Sequence, residues 1–118
     1  MPNSKSVGVA FSDPSLTTLY LNAPVNKTAS FTLGEEENFV ICNGASANVT
    51  VTLPSGASNI GRVVVIKNLS ATYTVVSASS NVKPGNSATA GTAILAASAG
   101  AWEMLVCEDG TNWVIMAS

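Results

Sequence analysis

The side chains that could carry chemistry are few and scattered along the chain. Three glutamates stand together at Glu35, Glu36 and Glu37, Glu103 precedes the acidic pair Glu108 and Asp109, and the thiols are Cys42 and Cys107. Trp102, Trp113, Tyr20 and Tyr73 offer aromatic faces. Histidine is absent, which removes the usual general base of neutral pH. No nucleophile motif surrounds any Ser, Thr or Cys. A carboxylate pair of Glu103 with Glu108 or Asp109 would suit acid and base work, but Glu108 and Asp109 fall in a tight-turn sequence, where acids are at home. The sequence therefore predicts no catalytic residue.

Metal and cofactor chemistry fare no better. Glu35 to Glu37 supply the oxygens that calcium favours. Consecutive carboxylates on extended chain point to alternate sides, however, and the Asp/Asn/Gly spacing of a calcium loop is missing, so an exposed acidic turn is the expectation. Two cysteines without histidine fall short of a zinc set. They read instead as small buried strand residues, kept reduced. Gly56, Gly61, Gly85 and Gly91 are turn glycines with no helix after them, so no phosphate-binding loop is expected. The aromatics read as core or interface anchors, with a sugar-stacking platform as the alternative.

Composition narrows the partners. Hydrophobic residues make up 47% of the 118 residues and charged residues 10%, against roughly 25% charged in an ordinary soluble domain. A surface so short of charge is either neutral and polar or covered by another molecule. The five basic residues, Lys5, Lys27, Arg62, Lys67 and Lys83, are scattered in a chain of net charge -2, so no basic stripe is available for nucleic acid. No apolar run approaches the ~20 residues of a membrane span. The first residues, MPNSKSVGVAFSDPS, lack the apolar stretch of a secretory signal. Synthesis in a cytoplasm is the expectation, and the sequons at Asn26, Asn48 and Asn68 then carry no weight.

The elements that must position these residues are strands. Val, Thr, Ser and Asn dominate over strong helix formers, and short runs alternate with Gly, Pro, Asn and Asp. Strands are predicted over 28–33, 38–42, 48–53, 62–69, 72–78, 92–97 and the two arms of a final hairpin. In 48–53, Val49, Val51 and Leu53 alternate with Asn48, Thr50 and Thr52, one face buried and one wet. The continuous apolar run in 62–69 predicts a strand covered on both faces. Residues 79–91 read as loop. Residues 1–24 form either an arm or a first strand near 17–21, and Val7, Val9, Phe11, Leu16, Leu19 and Tyr20 make them too apolar for a free tail. Residues 25–118 form a single domain. The expected fold is an all-β, antiparallel sandwich or jelly-roll-like domain of about eight short strands with an extended N-terminal arm.

The final hairpin, AWEMLVC-EDGT-NWVIMA, is the most informative piece. With Glu108 to Thr111 as its loop, Val106 opposes Trp113, Met104 opposes Ile115 and Trp102 opposes Ala117, so both tryptophans share a face. The other face carries Leu105, Cys107, Val114 and Met116, interrupted by Glu103 and Asn112. Neither face is predominantly polar. Trp102, Met104, Leu105, Trp113, Val114 and Met116 are therefore expected as core or subunit-interface anchors, one face lining the core and the other covered by a second subunit. Pairing slips with any change in loop length.

The run VTVTLPSGASNIGRVVVIKNLSATYTVVSASS, followed by AWEMLVCEDGTNWVIM, resembles a module of tailed-bacteriophage structural proteins. The resemblance covers roughly residues 48–118. Its marks are Leu53-Pro54, Gly61 ahead of Ile66-Lys67-Asn68, and the closing Asp109 to Trp113. Such modules occur in tail-fibre tips and in capsid decoration, or cement, proteins. The resemblance implies a β-rich, usually trimeric structural unit without catalytic residues. A short free-standing chain suits a decoration protein on the capsid exterior, made in the host bacterial cytoplasm, a homotrimer bound to the major capsid protein, with residues 1–24 as the contacting arm. A tail-fibre or tail-tip module binding a host-surface glycan is the alternative. The first reading expects both tryptophans buried, and the second expects exposed tryptophan.

Overall fold

The computed structural model describes residues 22–118. The predicted residues 1–21 of the arm, with Val7, Val9, Phe11, Leu16, Leu19 and Tyr20, lie outside that range. Ten strands follow one another: β1 (Val25–Lys27), β2 (Phe31–Thr32), β3 (Phe39–Cys42), β4 (Val49–Thr52), β5 (Val63–Asn68), β6 (Val75–Ser77), β7 (Val82–Lys83), β8 (Ala93–Leu95), β9 (Ala101–Cys107) and β10 (Trp113–Ala117). They form a six-stranded sheet in the order β1-β3-β5-β9-β10-β7 and a four-stranded sheet in the order β2-β4-β6-β8. The fold is an all-β sandwich.

From β1 to β9 the chain changes sheet at every step. Two successive crossings restore the original direction for most neighbours two strands apart in sequence, which then run parallel. That holds for β1 with β3, β3 with β5, β2 with β4, and β4 with β6. β7 is also parallel to β10. Among the described strands, β5 with β9, β9 with β10, and β6 with β8 are antiparallel, and an isolated antiparallel bridge joins Val82 to Gly91. The sheets are thus mixed, where an antiparallel arrangement was the expectation.

Sequence accounts for most of these elements. In β4 the alternation is as read, with Val49 and Val51 buried and Thr52 exposed. The predicted strand over 28–33 is broken near Ser30, where the chain leaves β1 for β2 and the Ser30 hydroxyl accepts the Thr50 N–H at 3.0 Å. β7, within the stretch read as loop, is two residues long. The core fills the space between the sheets with Val40, Cys42, Val64, Ile66, Leu105, Cys107 and Trp113 from one side and Val49, Val51, Val75, Ile94 and Leu95 from the other.

β5 is held at both ends. At its C-terminus the Asn68 amide, 1% exposed, donates to the carbonyls of Tyr73 and Ala96, each at 2.9 Å, and accepts the Ser70 N–H at 3.0 Å. At its N-terminus the Arg62 guanidinium donates to the carbonyls of Gly34 and Glu37. Gly100, at φ 95, turns the chain so that its N–H reaches the Asn68 carbonyl at 2.7 Å; this left-handed conformation favours glycine. Replacing Asn68 by Ala strands two carbonyls and an N–H out of reach of water. The expected loss is about 3 kcal/mol of unfolding free energy, measured by urea denaturation, and a loss below about 1 kcal/mol would contradict the account.

Candidate functional site

The hairpin of β9 and β10 closes one residue later than the sequence reading placed it. Glu108 N–H donates to the Asn112 carbonyl at 2.9 Å, and the Asp109 carboxylate accepts the N–H groups of Thr111 and Asn112 at 2.8 and 2.7 Å. That side-chain turn leaves a loop of Asp109, Gly110 and Thr111 and pairs Cys107 with Trp113, Val106 with Val114 and Leu105 with Ile115. The pairings expected for Val106, Met104 and Trp102 are corrected accordingly, because the Asp109 carboxylate supplies a side-chain acceptor for two backbone N–H groups that a plain four-residue loop lacks. The ladder then slips, and Met104 faces Ala117.

The shift separates the two tryptophans, which the sequence reading put on one face. Trp113 is 0% exposed, in the core, and its indole N–H donates to the Pro54 carbonyl at 3.1 Å. Leu105 is buried beside it. Trp102, at 44% exposure, lies on the outer face of the six-stranded sheet. Met104 and Val114 are half-buried there, and Met116 is 60% exposed. Of the six predicted anchors, two are therefore core and four form part of an outer surface.

That surface is a ladder of cross-strand apolar contacts. Pairing sets Phe39 beside Val65 and Val65 beside Met104. Val63 lies beside Val106, which lies beside Val114. Ile41 and Trp102 flank Lys67, the one charged member of these rows. Pro24, Phe39, Ile41, Val65 and Lys67 line a shallow cleft of about 230 Å³ at the β1 side. Sequence reasoning singled out the hairpin but not Phe39, Ile41, Val63 and Val65; the signal was the unbroken apolar run of β5, which predicted cover on both faces. Among the described residues, that run is covered on one face only, and Val63 is 43% exposed. Three rows at ~6.8 Å along four strands at ~4.8 Å give on the order of 400 Å², among the larger apolar patches that a monomer exposes.

The other candidate groups serve the fold. Glu37 accepts the Gly34 N–H at 2.8 Å and pairs with Lys27 at 3.0 Å, and the Gly34 bond is the main reason its carboxyl sits below the ordinary range. Glu35 and Glu36 face solvent. Glu108 pairs with Lys83 at 2.7 Å. Glu103 is five residues from Glu108 along β9, about 16 Å at strand rise, so the notional acid pair is not brought together. No group of three metal-ligating side chains occurs among the described residues, and no described helix is long and apolar enough to cross a membrane. The buried amide of Asn68 and the exposed amide of Asn48 accept backbone N–H groups.

Cys42 and Cys107 are both buried and free. Cys42 is level with Asn68 at one end of β5, and Cys107 lies past Val63 at the other, far beyond the ~7 Å a disulfide spans. Burial pushes the Cys42 thiol up to about 11 and raises that of Cys107.

No protein-family model matches the chain, and no curated protein or solved structure matches it.

Because thiolate is the reactive form, both thiols are expected to resist a disulfide reagent at neutral pH in the folded protein and to react together on unfolding. Rapid labelling of either without denaturant would contradict their placement.

Proposed function

We propose that this chain is a structural protein of a tailed-phage virion, a decoration or cement protein that assembles as a homotrimer and braces the outside of the head. The observation that carries the proposal is the apolar face of Phe39, Val63, Val65, Trp102, Met104 and Met116, which the described residues leave uncovered. A chain with 10% charged residues has little with which to keep such a face in water, and a second copy is the chemically matched cover. The resemblance of residues 48–118 to phage structural modules supplies the setting. Buried in the trimer, Trp102 would meet the expectation of two covered tryptophans. Residues 1–24 are the proposed contact with the major capsid protein, and binding repeated by symmetry would give avidity and stabilise the shell by mass action.

A glycan-binding tail tip is the second reading, and the exposure of Trp102 favours it. It predicts quenching of tryptophan emission by host-surface sugars, lost in Trp102→Ala, from a chain that stays monomeric.

Light scattering on the purified chain is expected to give three times the chain mass, and Met104→Lys, which buries a charge in the interface, to weaken association about thirtyfold, roughly 2 kcal/mol. Deleting residues 1–15 is expected to abolish binding to expanded heads and leave the trimer intact. Full-strength binding by the shortened protein would overturn the arm assignment, and a monomer at all concentrations would overturn the association.

A further inference from the structure

One side chain on the inner face of β9 is unlike its neighbours. Glu103 stands between Ala101 and Leu105 on that face, opposite Ile66 of β5. Its Oε1 is buried and has no hydrogen-bond partner among the described residues. A carboxylate oxygen in that position loses water and gains nothing in return.

The strands packed against β9 offer it no counter-charge. β5 carries Lys67, which is exposed on the opposite face of the sheet beside Trp102. Arg62, ahead of β5, is spent on the carbonyls of Gly34 and Glu37. β8 and β10 contain no titratable side chain. Burial alone pushes the Glu103 carboxyl up to about 7.

Glu103 pairs with β5 on one side, and the described ladder to β10 begins only at Met104 on the other. Next to it the ladder to β10 slips between Met104 and Leu105, and such a bulge leaves a residue unpaired and bends the strand. Its sequence neighbours Trp102 and Met104 belong to the outer apolar face.

Resting on the reading of that face as a self-association surface, we propose that Glu103 gates association by binding a proton. With the carboxyl neutral, β9 lies on the core and presents Trp102 and Met104 in register with Lys67 and Val65. With the carboxylate ionised, the segment of β9 before the bulge lifts toward water and the surface loses its register. Only the seated form associates, so the proton shifts the population toward assembly.

The direction of the pH dependence follows from linkage. The ordinary Glu value is about 4.3, so the seated form holds the proton more tightly than the lifted or unfolded form. Its stability relative to those forms is greatest below about 4.3 and falls as pH rises toward about 7. Glu37 has the opposite sign: its lowered carboxyl stabilises the fold above the ordinary range and releases that stability as pH falls. The two windows are therefore separable.

Sedimentation of the full chain at about pH 5.5 and about pH 8.5, at fixed ionic strength, tests the gate. The wild-type association constant is expected to fall about tenfold or more between the two, the equivalent of one unit of proton affinity, and that of Glu103→Gln to change less than about twofold. A group of merely structural importance would move the unfolding midpoint and leave the pH slope of association unchanged. An oligomer whose constant is the same at both pH values, or a Glu103→Gln protein with the wild-type slope, overturns the gate and leaves the association standing. A wild-type monomer at both pH values overturns both. The ¹³C titration of the wild-type Glu103 carboxyl needs no substitution; a midpoint near 7 supports the gate, and one below about 5 overturns it.

Discussion

The sandwich depends on one buried amide. Asn68 ends the strand that holds the two halves of the larger sheet together, since β5 pairs with the parallel β3 on one side and the antiparallel β9 on the other. At that end the chain must turn away, and its backbone groups would be stranded among apolar side chains. The amide answers the carbonyls of Tyr73 and Ala96 and the N–H of Ser70, and so fixes where β6 begins and where β9 starts back. A hydrophobic residue of similar size would fill the space and leave three backbone groups unpaired. Neither a charged nor a longer side chain offers the same two donors and one acceptor within that radius.

With β5 fixed, the inequality of the two faces of the larger sheet follows. Strand alternation sends Val64, Ile66 and Asn68 inward and Val63, Val65 and Lys67 outward. Parallel neighbours ordinarily need cover on both faces, yet the second sheet covers only one. The outward residues of β3, β9 and β10 are apolar as well, so an unfilled requirement passes from the secondary structure to the surface. The same alternation places Glu103 inward on β9, where its polarity is as ill-matched to the core as Trp102 is to water. The two mismatches are adjacent in sequence and on opposite sides of one strand.

Much of this was legible in the residues. The regular alternation around Val49 and Val51, the apolar run before Lys67 and the final hairpin all fold as strands close to their predicted limits. Other features resisted for identifiable reasons. The hairpin register turned on whether Asp109 would bond two backbone N–H groups, which shortens the loop from four residues to three and sends Trp113 inward while Trp102 stays out. The break at Ser30 reflects a hydroxyl meeting β4, a partner distant in the sequence. Parallel pairing was hidden because short alternating runs encode which face is apolar and not which strand lies alongside. Glu103 reads in the sequence as half of an acid pair and as an interruption of the Leu105 and Cys107 face; which of the hairpin's faces turns inward is not legible there.

The strand order also fixes a sequence of events during synthesis. β7 pairs with no strand of its sheet except β10, and β10 is made after it, beyond the β9 turn. As the chain leaves the ribosome, the first three strands of the larger sheet can stack on one another, but Val82 and Lys83 must wait at a position with an empty place beside them. The hairpin then enters as a unit between β5 and β7, and its β9 arm closes contacts across some 35 residues of chain. Such long-range closure is slow. Until it happens, the edges of β5 and β7 that the hairpin will occupy remain open to any other chain that offers a hairpin of similar pattern.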